Sequence, residues 1–100
     1  AKAYAQLKIV LAHSGGGMYG AEAQIAAQTS ENIYLETSWC TVTDLRAFVQ
    51  TLGCGRVMFG TDLPLNAGVE LAKYRALRLT DAQYEQCFCR TATEVFSLKS

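Results

Sequence analysis

Apolar residues recur along this chain in two rhythms. Lys8 to Ala12 (KIVLA), Ile33 to Glu36 (IYLE) and Arg56 to Phe59 (RVMF) are short, largely apolar runs that predict strands. Between them the spacing lengthens. Residues 19–28 are Ala-rich and predict a helix. Leu45, Phe48, Val49 and Leu52 recur at i, i+3, i+4 and i+7, which predicts a second. Thr43 is placed to cap that second helix and Gly53 to stop it in a left-handed turn. Beyond Pro64 the pattern is helical: about Val69 to Leu77, then a helix opened by Thr80 with Gln83 three residues on, a capping box. That helix carries Tyr84, Phe88 and Cys89, and a last turn carries Val95 and Phe96.

The strand starts lie about 24 residues apart with a helix in each gap, a βαβαβα order that predicts parallel strands with right-handed crossovers. No linker or low-complexity stretch divides residues 1–100, and no sequence repeat lies behind the period. In parallel α/β sheets, functional groups gather where strands end, on the loops leading into helices. That rule selects His13, Glu36 and Asp62, one polar group per strand end.

Composition narrows the partners. Half of the 100 residues are apolar and 18% are charged, enough to form a packed core. Nine basic residues balance nine acidic ones, so there is no electrostatic footprint for nucleic acid or an acidic membrane surface. Lys73, Arg75 and Arg78 read as the solvated face of a helix. No apolar stretch reaches the roughly 20 residues that cross a bilayer, and the N-terminus has no signal-peptide pattern, so the expected location is the cytoplasm. Cys87-x-Cys89 is too closely spaced for a metal pair, and Cys40, Cys54, Cys87 and Cys89 read as reduced thiols.

Two chemistries compete for the stretch LAHSGGGMYGAEA at residues 11–23. Gly15, Gly17 and Gly20 spell G-x-G-x-x-G, and Glu36 lies 21 residues after Gly15, where a dinucleotide-binding βαβ module keeps its ribose-binding acid. Against that reading, His13 and Ser14 stand between the strand and the first glycine, and the Asp62 loop is left without a role. The other chemistry is metal-assisted. Imidazole moves a proton or binds metal near neutral pH, and an aspartate can bind a divalent cation through one oxygen while the other takes a proton from bound water. Gly15, Gly16 and Gly17 would then leave room for substrate against the backbone. Plain structural roles stay open too: a hydrogen-bonding histidine, a turn aspartate, a Glu36 paired with Arg46 or Arg56, and a Trp39 used for packing. So does an accessory piece with no chemistry.

LKIVLAHSGGG, NIYLETS and RVMFGTDLP, in that order and spacing, resemble the C-terminal part of the amidohydrolase-related proteins, over about Leu7 to Phe96. These are metal-dependent (β/α)8 TIM barrels that include hydrolases and non-oxidative decarboxylases. The resemblance implies that the three predicted strands are the sixth, seventh and eighth of such a barrel. It matches His13 to the family histidine that contacts substrate or metal-bound water, and Asp62 to the aspartate that ligates the metal and accepts a proton. Thr61 stands where serine is commoner, and Glu36, Thr37 and Ser38 would line the pocket without an assigned role.

What the resemblance implies is a divalent metal, zinc above all, and a small-molecule substrate: an ester, a lactone, an amide or a carboxylic acid to be decarboxylated. The family holds its metal mainly through an H-x-H pair on the first strand and a histidine on the fifth, whereas this chain has one histidine. Three strands cannot close a barrel. The expectation is therefore a partial domain whose main partner is the remainder of a barrel of about 250 to 350 residues. Alone it should expose two sheet edges and an apolar inner layer, and catalyse nothing; a homo-oligomer is left open.

Overall fold

In the computed structural model, which describes residues 1–99, three parallel strands lie in the order β1-β2-β3. They are β1 (Ile9–Leu11), β2 (Ile33–Glu36) and β3 (Val57–Met58), with Leu11 opposite Leu35 and Leu35 opposite Val57. Helices α1 (Gly20–Thr29) and α2 (Val42–Leu52) make the two crossovers, as the apolar rhythm predicts. After β3 come α3 (Ala67–Ala76) and a longer helical stretch built from α4 (Asp81–Glu85), a π turn over Gln86–Arg90 and α5 (Thr91–Val95). This mixed α/β layering fits a piece of a TIM barrel.

Strand alternation sorts the side chains. Ile33, Leu35 and Val57 turn toward the helices and join Leu45, Phe48, Val49 and Tyr74 in the core. Val10, Tyr34, Glu36 and Met58 take the opposite face by that alternation. That face is less open than the sequence suggests: Val10 and Tyr34 are half-buried, and Met58 is buried. An aromatic cluster fastens the last helical stretch to the sheet. Phe59 meets Phe88 edge-on at 5.0 Å and Tyr74 edge-on at 5.5 Å, and Phe88 stacks on Tyr84 at 5.7 Å.

Several local expectations shift. Thr41, not Thr43, caps α2, because its hydroxyl accepts from the Asp44 amide at 3.0 Å. Gly53 ends α2 at φ 83° and ψ 160°, a positive-φ turn that differs from the left-handed cap. The capping box holds, with Thr80 and Gln83 accepting each other's backbone N–H. The π turn was not legible in the sequence; there, the Cys87 carbonyl accepts the Phe59 amide at 2.9 Å, beyond the end of β3. The four cysteines are unpaired, as expected. Of the three helical cations, Lys73 departs from the solvated face and turns inward onto Glu70 and the Cys40 carbonyl.

Candidate functional site

The three strand ends meet on one rim. β1 runs into a tight turn at Ala12–Gly15, β2 into Thr37–Trp39, and β3 through Phe59 and Gly60 to Asp62. Six described non-glycine residues have positive φ: His13 (61°), Ser14 (30°), Trp39 (64°), Asp62 (61°), Arg78 and Ser97. Four of the six are therefore on this rim, and such backbone strain persists only where surrounding bonds over-determine it.

Glu36 supplies much of that determination. Its Oε2 accepts the His13 amide at 3.0 Å and the Ser38 hydroxyl at 2.9 Å, while Oε1 accepts the Ser38 amide at 2.9 Å. A carboxylate is an acceptor only, so each donor is matched. The Ser14 hydroxyl bonds the Leu11 and Glu36 carbonyls at 2.9 and 2.8 Å. From below, the Cys40 thiol reaches the His13 carbonyl at 3.2 Å. Burial pushes that thiol up to about 12, so it stays protonated and donates.

Held this way, His13 presents Nε2 to Asp62 Oδ1 at 3.3 Å, both side chains a little under half exposed. Asp62 Oδ2 accepts the Trp39 indole N–H at 2.9 Å. That indole bond, joined by the His13 contact, holds the Asp62 carboxyl below the usual carboxylate range, so it is ionised at neutral pH. The pair is solvent-accessible, and both residues sit at strained positive φ.

The structure thus brings His13 and Asp62 together, and Glu36 one shell behind them. Glu36 pairs with neither Arg46 nor Arg56. Arg46 donates to the Ala76 carbonyl, and Arg56 donates to the carbonyls of Ala27, Ser30 and Ile33, toward the far ends of the strands. Both oxygens of Glu36 already serve the protein's own donors, so its place is a brace under His13 rather than a lining group. Of the glycines expected to leave room for substrate, Gly15 is closed off: a Cβ there would come within 2.6 Å of the Gly20 nitrogen. Gly16 stands open, with nothing within 4 Å of such a Cβ. Trp39 is a correction, since it is 47% exposed and bonded to Asp62 rather than packed away. Its position just after a strand end was the available signal.

The glycine loop is not shaped as a phosphate cradle. Its amides at Gly16, Met18 and Tyr19 bond carbonyls within the loop, at 2.6, 3.0 and 2.9 Å. The Asp44 carboxyl group fills the space that a Cβ on Gly20 would need, so an acidic side chain already lies beside the N-terminus of α1. Residues 1–98 fit the family model of the amidohydrolases.

The chain belongs to the amidohydrolase family.

No curated protein and no solved structure matches it. Amidohydrolases are generally metal-dependent, yet the residues of this amidohydrolase chain do not complete a metal centre. His13 and Asp62 are two donors, Glu36 is engaged elsewhere, and no group of three His, Cys, Asp or Glu is gathered among the described residues. A catalytic zinc takes three protein ligands. Titrating zinc into residues 1–100 by calorimetry should therefore show no stoichiometric submicromolar site, and a site of that strength would contradict the ligand count. No described helix is long and apolar enough to cross a membrane.

Proposed function

We propose that residues 1–100 are the sixth to eighth βα units of a metal-dependent (β/α)8 amidohydrolase, with His13 and Asp62 at its reacting centre. The observation that carries the reading is the 3.3 Å contact between His13 Nε2 and Asp62 Oδ1 at the rim where the parallel strands end. The substrate is a small ester, lactone, amide or carboxylic acid, and the reaction is hydrolysis or non-oxidative decarboxylation. The family's divalent cation, zinc in this reading, takes its other ligands from outside these residues. Asp62 is the carboxylate placed to contribute one donor, because each of its oxygens keeps a second lone pair.

The chain's own part of the chemistry is proton handling. Ionised Asp62 takes a proton from the attacking water, or holds the His13 imidazolium once His13 has taken one. His13, with Nε2–H directed at the carboxylate, keeps Nδ1 as the acceptor or, when protonated, as the donor to substrate. Gly16 leaves open space beside the pair, so that a flat substrate can approach the backbone. Water reaches the pair freely in these residues alone; the rest of the barrel and its loops would exclude it. The test is turnover of an aryl ester, a lactone, an anilide and a benzoate-type acid by the full-length, metal-replete protein. Conversion of at least one is expected, and consumption of none overturns the reading.

A further inference from the structure

Beneath the rim lies a second carboxylate that the proton chemistry does not use. Glu70, in α3, is 1% exposed. Its Oε1 accepts three bonds: the Trp39 amide at 3.0 Å, the Asn66 side-chain amide at 3.0 Å, and Lys73 Nζ at 2.5 Å. Its Oε2 is buried with no partner among the described residues. A bare buried carboxylate oxygen costs desolvation. Here all three donors converge on one atom, and two of them lead to the rim.

The first lead is Trp39, whose amide is fixed by Glu70 while its indole N–H holds Asp62 Oδ2. The second is Asn66, which donates to Glu70 and also to the Thr61 carbonyl at 3.1 Å, one residue before Asp62. Trp39 and Asp62 both sit at positive φ, where bulky L-residues stay only under outside restraint. Glu70 and Asn66 supply such a restraint to both at once.

We propose that Glu70 is a positioning residue: from inside the helix layer it sets Trp39 directly and Asp62 through Asn66, and so fixes how the Asp62 carboxylate faces His13. Its importance for turnover rests on the reading above, but the linkage itself is a property of residues 1–100. In the full-length protein the Trp39 indole N–H signal, assigned by its loss in Trp39→Phe, reports the bond to Asp62 Oδ2 through its chemical shift and its exchange with water at one fixed pH.

In Glu70→Ala and in Asn66→Ala the indole N–H signal should shift toward that of a solvated indole and exchange faster with water. In Glu70→Gln the amide oxygen can still accept from Trp39 and Asn66, so the indole signal should stay near its original place. If the variants only lower the melting temperature and leave the indole signal unmoved, Glu70 is structural and the proposal fails. It fails equally if Glu70→Gln moves the signal as far as Glu70→Ala does. Should Glu70→Ala not fold, Asn66→Ala carries the same comparison. Loss of turnover plays no part in this readout, so a failure of the proposed chemistry leaves the linkage test intact.

Discussion

Replacing Asp62 by asparagine in the complete enzyme should lower kcat by about 10²- to 10⁴-fold, the range that a positioned acid–base group contributes, with KM little changed. The amide keeps the size of the carboxylate, and its oxygen can still take the Trp39 indole bond. It cannot accept a proton, and its NH2 would face His13 Nε2 across the 3.3 Å gap. His13→Ala should fall in the same range. If the two act as one proton-handling pair, the double variant is barely worse than either single one, because removing one partner already disables the other. Independent roles would instead multiply the two losses. The pH profile adds a sign. The indole bond, with the His13 contact, lowers the Asp62 value, so the carboxylate stays ionised down past its ordinary 3.8 and the acid limb it causes lies below that. Trp39→Phe removes the donor and should move that limb upward. Full kcat in Asp62→Asn would remove the basis of the reading.

How much of this was legible in the sequence depends on the range of the contacts involved. The alternation of short apolar runs with helical spacing is local, and it predicts the parallel βαβαβα order that the structure has. The rule that chemistry collects at strand ends then picks His13, Glu36 and Asp62 without knowledge of a single contact. The direction of each side chain was beyond reach, because it is set by contacts between residues far apart in the chain: Glu36 with His13, Trp39 with Asp62, and His13 with Asp62. Glu36 braces His13 instead of meeting an arginine, since strand register puts Arg56 opposite Tyr34 and leaves Gly60 to make space beside the carboxylate. Trp39, whose indole reaches Asp62, has its amide on Glu70, thirty-one positions later. Nothing in the local pattern near Trp39 announces Glu70. The i, i+4 spacing of Asn66, just before α3, and Glu70, within it, marks those two as neighbours, but not what they hold.

The second large effect concerns that space. A Cβ on Gly60 would collide with the Glu36 carboxylate, whose Cδ would lie only 2.7 Å away. The carboxylate cannot swing aside freely, because His13 N, Ser38 N and Ser38 Oγ all donate to it. Gly60→Ala should therefore cost about 1–3 kcal/mol, as overpacking does, either by shifting the chain after β3 or by tearing the brace. Glu36→Ala should cost about 1–3 kcal/mol for the donors it leaves unpaired. Against the small net stability of native proteins, either is a large share. The double variant decides the cause. With Glu36 reduced to Ala, the methyl group on residue 60 has nothing left to strike, so the clash disappears while the unpaired donors remain. The double variant should then be little less stable than Glu36→Ala alone, an interaction energy of about 1–3 kcal/mol in urea denaturation. Simple addition of the two losses would mean that Gly60 is needed for its backbone and not for the room it leaves. In that case the brace under His13 would be independent of β3, and the side chains joining the two halves of the rim would be Trp39 and His13, both on Asp62.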